Sequence, residues 1–579
     1  MTMLTKWGAA LDRSCPLPEY PRPQLRRESF YNLNGVWDYA VTPSGDEPEV
    51  WDGEIVVPFS PEAPLSGATR GPAKDEYLHY RRGFTLPEGF QKSRVLLHFG
   101  AVDQIAEVFV NGVSAAKHSG GYWPFSADIT SLLREGENIL RVTVRDNADD
   151  PTFAYGKQRY KRGGMWYTAQ SGIWQTVWLE SVPEVYVKSL RITPEFDEAR
   201  VRIELETVLE SGAAITCDVR AADGSFVAGS WAKGGVCVVP LPGFRAWTPD
   251  DPYLYTLDIT CGEDRVESYF AMRKFSYVEL GGHKVFGLNN APLFHNGLLD
   301  QGYYPDGLLT PPSDEAMVND IETMKRCGFN MLRKHIKIEP LRWYYHCDRL
   351  GMIVWQDMVS GGQPYSFLHV SALPTLGKVD LPDQDAKPYG RSGVLSRARF
   401  RREMADTVRL LYNCPCIALW TVFNEGWGQF DALDMANELK KLDPTRFIDH
   451  ASGWQDQGYE EMKSRHIYFR PVKLKNDGRA LALTEYGGYI LAVDGHRWTD
   501  KVFGYRICRN SAALAHDYEK LMLGQVLPHI RKEGLTAAVY TQITDVEEEL
   551  NGLMTYDREV LKIPEETLRE INAALRFDA

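Results

Sequence analysis

Two glutamates in this sequence each close an apolar run. Ile417-Ala-Leu-Trp-Thr-Val-Phe423 leads directly into Asn424-Glu425-Gly426-Trp427, and Leu481-Ala-Leu-Thr484 leads into Glu485-Tyr486-Gly487-Gly488. A carboxyl group in apolar surroundings has a raised pKa, which suits a general acid near neutral pH. Glycines after Glu485 would let a ligand approach the backbone closely. Two carboxyl groups facing each other can break a glycosidic bond. One protonates the leaving oxygen, and the other attacks the anomeric carbon or activates water. A separation of about 5–5.5 Å gives retention of configuration and about 6.5–9.5 Å gives inversion, a choice the sequence leaves open.

That chemistry needs a scaffold that brings distant residues to one mouth. From about residue 283, short apolar runs alternate with helical stretches. Strands are expected at Phe294–Gly297, Asn330–Arg333, Met352–Asp357, Ile417–Phe423, Phe447–Asp449, Ile467–Phe469, Leu481–Thr484 and Leu535–Tyr540. Ser313 caps one helix and Gly328 ends it; Gly351 closes another, over Glu339–Leu350; a third spans 396–413. Eight strands alternating with helices over about 300 residues read as a (β/α)8 barrel, whose sites lie at the C-terminal strand ends. Glu425 ends the fourth strand and Glu485 the seventh. A Gly-, Pro- and Ser-rich stretch at 359–394 is too long for an ordinary barrel loop. It is expected to overhang the site and favour exo cleavage of short substrates.

The remainder reads as β-structure. Residues 1–183 carry short strand-like runs such as Gly35–Val41, Arg94–Phe99, Ile105–Val110, Asn138–Val144 and Gln175–Glu180, with Asn111-Gly112 as a hairpin turn. They suggest a jelly-roll β-sandwich. Residues 184–278, with runs at Val187–Ile192, Val201–Leu205, Ile215–Arg220, Tyr253–Ile259 and Val266–Phe270, fit one immunoglobulin-like sandwich. Residues 279–579 form the barrel. The fold class is therefore multidomain β plus α/β.

Composition narrows the partners. Lys and Arg number 65 against 78 Asp and Glu, a net charge of −13, and no long basic run occurs, so nucleic acid is excluded as a partner. No apolar stretch has transmembrane length, so no membrane is expected. Nine scattered cysteines and an N-terminus without a signal-peptide core point to a reducing cytoplasm. There is no H-E-x-x-H motif and no zinc-like Cys/His spacing, so neither metal nor cofactor is expected. Of the 15 Trp and 29 Tyr, those beyond core packing can serve as platforms for sugar rings.

The chain resembles glycoside hydrolase family 2, which includes β-galactosidases, β-glucuronidases and β-mannosidases. The resemblance rests on Trp37-Asp-Tyr39, Ser171-Gly-Ile-Trp-Gln175, Trp247-Thr-Pro-Asp-Asp-Pro-Tyr-Leu254, Arg333-Lys-His-Ile-Lys337, Cys347-Asp-Arg-Leu-Gly351, Asn424-Glu425 and Thr484-Glu-Tyr-Gly487, in that order. It implies Glu425 as acid/base, Glu485 as nucleophile, Asn424 on the sugar 2-hydroxyl, retention, a carbohydrate partner and a homo-oligomer. His335 resembles an active-site histidine of the family. Asp357 is a candidate for sugar hydroxyls, Tyr468 for a hydrogen bond to the nucleophile, and Trp454 and Tyr540 for stacking platforms. Asp300-Gln301 follows the first strand, and Trp166 lies in a stretch whose family counterparts border the barrel mouth.

Two sugars compete. A neutral sugar needs hydrogen-bond partners only, whereas a uronic acid needs a cation or amide for its carboxylate. Arg333, Lys334, Lys337 and Arg470 are the candidate cations. Family glucuronidases hold the carboxylate with an Asn-x-Lys pair, and no Asn here has Lys two positions later. A β-galactosidase-type activity is the first expectation, and a β-hexuronidase acting on galacturonides or glucuronides the second. A non-catalytic carbohydrate-binding protein and a transglycosylase using the same covalent intermediate are the rivals.

Overall fold

The computed structural model describes residues 3–208, 214–375 and 380–577. Its N-terminal sandwich pairs a four-stranded sheet, built on Arg94–Phe99 and Val177–Val182, with a six-stranded sheet built on Gly35–Thr42, Tyr77–Phe84, Ile105–Val110 and Asn138–Arg145. Alternation sets the register: Trp37, Tyr39 and Val41 point inward from one strand, toward Tyr80 and Val142. Asn111 and Gly112 both take positive φ, at 51° and 81°, in the two-residue turn joining Val110 to Val113. The second sandwich packs a three-stranded sheet (Tyr186–Glu195, Arg200–Val208, Val236–Pro240) on a four-stranded one that includes Ile215–Arg220, Tyr255–Cys261 and Asp264–Phe270.

The barrel strands are β1 (His295–Asp300), β2 (Met331–Lys334), β3 (Ile353–Asp357), β4 (Ile417–Asn424), β5 (Phe447–Ser452), β6 (Met462–Ile467), β7 (Ala480–Gly487) and β8 (Leu535–Thr541). They run parallel in the order β5-β4-β3-β2-β1-β8-β7-β6. The seam between β5 and β6 is bridged by Ser464, whose hydroxyl bonds Asp449 Oδ1 at 3.0 Å and accepts from Gly453 N at 3.3 Å. Most strands are buried on both faces because the helices cover the outside, so they read as continuous apolar runs. β6 is the exception. Met462-Lys-Ser-Arg-His-Ile467 alternates, and the strand ends where the sequence suggested it would begin, at Ile467–Phe469.

The helix Asp314–Arg326 is capped as expected, with Ser313 Oγ accepting from Ala316 N at 3.2 Å. Helices Leu341–Leu350 and Val394–Leu411 lie close to their expected places. Sandwiches and barrel share one buried cluster. Trp174 of the first sandwich and Trp247 of the second both belong to it, and Trp247 donates its indole N–H to Asp348 O at 2.7 Å. Among the described residues no helix is long and apolar enough to cross a membrane.

Candidate active site

β4 delivers Asn424 and then turns sharply. Glu425 has φ 54°, left-handed backbone unusual for a residue with a side chain, and its N–H is held by Ser452 O at the end of β5 at 2.9 Å. On β7 the register slips between Leu483 and Glu485, so that Thr484 is the extra residue and Glu485 pairs with His466 on β6. A bulge re-aims the side chain that follows it, and here that side chain is Glu485. One oxygen of Glu425, one of Glu485 and a ring nitrogen of His466 all lie within 4.8 Å of one another.

Arg333 organises the floor of this mouth and is fully buried. Its fork grips both oxygens of Asp357 at 3.0 Å. It also reaches Asn424 Oδ1 at 2.8 Å and Glu485 Oε1 at 3.1 Å. Fixing Oδ1 leaves the Asn424 amide N–H to point at a ligand. Tyr468 donates its hydroxyl to Glu485 Oε2 at 2.6 Å, and its ring stacks on Tyr505 with centroids 3.9 Å apart. His466 Nδ1 meets Glu425 Oε1 at 2.8 Å and stands 3.5 Å from Glu485 Oε2.

Electrostatics separate the two glutamates. Burial pushes Glu425 up to about 7, against the charges of Lys157 and Arg333. Burial also raises Glu485, against His466, with Glu425 adding to the rise and Arg333 and Tyr468 opposing it. Glu425 keeps 22% of its side chain exposed and Glu485 6%. Glu425 is thus the more reachable group, and Glu485 the one held by hydrogen-bond donors. Burial holds His466 at about 4, so it is neutral here. Burial works on Asp357 in the opposite sense, but Arg333 and His335 outweigh it and hold the carboxyl at about 2. His335, lowered by burial and by Lys157 to about 3, is also neutral. Its Nδ1 lies 2.8 Å from Asp357 Oδ2, which can only accept, so Nδ1 carries the proton and Nε2 is left as an acceptor.

Several expected site residues have other work. Lys334 pairs with Asp300 at 2.6 Å and with Glu339 at 2.8 Å, so Asp300 serves a buried ion pair. Lys337 is spent on Glu339 and Leu309 O at 2.8 Å and on Gly302 O at 2.5 Å. Neither lysine is open to a ligand, and Arg333 is fully engaged. Arg470 is exposed beyond Tyr468. Tyr540 is fully buried and packs edge-on against Tyr486 and Tyr518, outside the barrel lumen, so it is no platform. A side chain at Gly487 would strike Tyr540 and one at Gly488 would strike Tyr505, so these glycines admit protein rings, not a ligand. Trp454 is half-buried and donates its indole N–H to Glu425 O at 2.8 Å and Val370 O at 2.9 Å, which ties the helical turn Leu368–Ala372 of the long insertion to the Glu425 backbone. Residues 376–379 of that insertion lie outside the described residues. Trp166 meets Trp427 edge-on at 5.1 Å and so borders the mouth.

Three residues at the mouth escape a reading of strand ends: His466, Tyr505 and Lys157. Glu549 is a fourth. Its carboxylate accepts from Tyr167 of the first sandwich and from Gln542 at 3.3 Å. Only the position of His466, four residues after the alternation of β6 begins at Met462, carries a sequence signal.

Three family models match the chain: the sugar-binding domain of glycosyl hydrolases family 2 over residues 64–183, a further family 2 domain over 185–273, and the family 2 TIM barrel over 311–473. The chain belongs to glycoside hydrolase family 2. A β-galactosidase of Thermoanaerobacter pseudethanolicus is 25% identical over 63% of this chain and 47% of its own length. A β-glucuronidase of Paenibacillus borealis is 22% identical over 82% of this chain and 85% of its own length. The chain thus spans about half the length of the β-galactosidases it matches. In fold, a β-glucuronidase of an uncultured Clostridium has a TM-score of 0.75 at 19% identity, covering 95% of this chain and 99% of that one. A β-galacturonidase of Eisenbergiella tayi has a TM-score of 0.70 at 18% identity, covering 96% of this chain and 99% of that one.

Proposed function

We propose that the chain is an exo-acting, retaining β-glycosidase, with Glu425 as general acid/base and Glu485 as nucleophile. The observation that carries this is the approach of the two carboxyl groups, whose nearest oxygens lie within 4.8 Å. That spacing suits direct attack on the anomeric carbon and is short for a carboxylate pair with a water between, which needs about 6.5–9.5 Å. Glu485 attacks C1 while Glu425 gives its proton to the glycosidic oxygen, and the aglycone leaves. Glu425, now a carboxylate, takes a proton from water as that water attacks C1 and frees Glu485. Arg333 and Tyr468 hold Glu485 for attack, and Asn424 and His335 face the sugar hydroxyls. The first-formed sugar is therefore the β anomer, and proton NMR during early turnover tests this. An α anomer appearing first would overturn retention.

The pH profile follows from the two groups. Glu425 must be protonated for the first step, so kcat/KM falls as pH rises through about 7. Glu485 must be ionised, so kcat/KM also falls on the acid side, below a pKa raised above the ordinary glutamate value. A bell is expected in a kcat/KM titration, its two limbs belonging to the coupled pair. Activity constant from pH 5 to 9 would contradict the assignment.

Two readings of the sugar stand, a neutral β-galactoside, expected first from the sequence, and a β-hexuronide. The second, a β-hexuronide, is favoured by one observation, the ammonium of Lys157, which has no ion-pair partner among the described residues.

A further inference from the structure

Every cation proposed from sequence for a substrate carboxylate is accounted for: Arg333, Lys334 and Lys337 are consumed by buried carboxylates, and Arg470 is exposed on the rim. Lys157 is different. It comes from the N-terminal sandwich, immediately before the segment Gln158–Arg159 that pairs in parallel with Tyr167–Thr168, and its carbonyl accepts from Tyr167 N at 3.0 Å. Its backbone is fixed against the barrel. Tyr155 N and Gly156 N both donate to Ser360 O beyond β3, at 3.1 and 2.9 Å. Gly156, at φ 64°, presses so close to the residue after His335 that an added Cβ would lie 3.0 Å from Ile336 O. The next residue, Gln158, is buried and held by Asp103 at 3.1 Å.

The Lys157 side chain is half-buried, and among the described residues its ammonium has no ion pair and no hydrogen bond to the protein. Its charge nonetheless bears on Glu425, His335, His466 and Glu549, which surround the mouth. Two of these are neutral imidazoles. Burial raises both carboxyl groups, and Glu425, pushed up to about 7, is largely uncharged in mildly acidic solution and leaves the ammonium unbalanced on that side. A partly desolvated ammonium without a partner is costly, and a charge-assisted bond to an incoming carboxylate removes that cost.

We propose that Lys157 is the specificity-determining cation of this site and that its ammonium takes the carboxylate on C5 of a β-hexuronide. The proposal rests on the glycosidase reading above, and it makes the active site a joint product of sandwich and barrel. Galactose and glucose offer a hydroxymethyl group at this position, which leaves Lys157 unpaired.

The test uses the full chain, its Lys157→Gln and Lys157→Arg variants, and four nitrophenyl β-glycosides: galactoside, glucoside, galacturonide and glucuronide. The wild type should prefer an acid substrate. Lys157→Gln should lower kcat/KM on that substrate by about 100-fold or more and on neutral substrates by far less, each compared at its own pH optimum because the lost charge also lets Glu425 titrate higher, and Lys157→Arg should restore part of the loss. A wild-type preference for a neutral sugar overturns the proposal, as does an equal loss on acid and neutral substrates. Calorimetric binding of free galacturonate and glucuronate against galactose and glucose separates the two claims, since it needs no turnover. Uronate binding lost in Lys157→Gln supports Lys157 even if hydrolysis fails, and uronate binding unchanged in that variant overturns it even if hydrolysis succeeds.

Discussion

Glu485→Gln is expected to lower kcat by about 10⁴–10⁶-fold, because it removes the carboxylate that bonds the anomeric carbon in the proposed mechanism. The amide keeps the size of the side chain and can still meet Tyr468 and Arg333, so the fold and sugar binding survive. Steady-state kinetics with an activated aryl glycoside, beside binding of the free sugar, give both numbers. A non-catalytic sugar-binding protein would show the same binding and no turnover in either form. A variant that turns over at the wild-type rate would remove Glu485 from the mechanism.

Arg333→Met has the second largest effect, and it acts on stability as well as rate. The guanidinium is fully buried and bonds Asp357, Glu485 and Asn424. Its loss strands two carboxylates in the barrel, which costs about 3–5 kcal/mol for a buried pair broken on one side. Activity falls with it. Glu485 loses a charge that holds its pKa down, so the acid limb of the pH profile moves to higher pH. Asn424 loses the bond that fixes its amide. Arg333→Lys restores charge but not the planar two-pronged grip on Asp357, so it recovers stability better than rate. Urea denaturation and kcat/KM measured together check this. A stability change within about 1 kcal/mol and unaltered kinetics would show that the network is incidental.

What the sequence disclosed and what it hid divide along physical lines. The barrel was legible because most strands are buried on both faces, so their apolar runs stand out and the polar residues that end them are conspicuous. Glu425 and Glu485 were singled out that way. β6 was misplaced by a few residues because two of its buried positions, Ser464 and His466, are polar, so its alternation of buried and half-buried residues leaves no apolar run. The misplacement concealed His466, which touches both glutamates. Tyr540 was misread by one position. Successive residues of a strand face opposite sides, and Thr541, not Tyr540, reaches the mouth, where its hydroxyl meets Tyr468 at 2.9 Å.

Ion pairing was the least legible feature. Lys334 and Lys337 look like an anion site in sequence, but Asp300 and Glu339 neutralise them in the folded chain. Lys157 gives no local signal, because its meaning depends on where the sandwich loop docks against β2 and β3. The long insertion was read from composition alone, and its link to the site through Trp454 is a tertiary fact.

The most direct measurement is to trap the intermediate. A 2-deoxy-2-fluoro glycoside with a good leaving group, in the sugar series the enzyme prefers, should inactivate the protein with release of one equivalent of aglycone. Peptide mass mapping should then find the fluorosugar ester-linked to Glu485. A label on any other residue, or steady hydrolysis with no covalent species, would contradict the account.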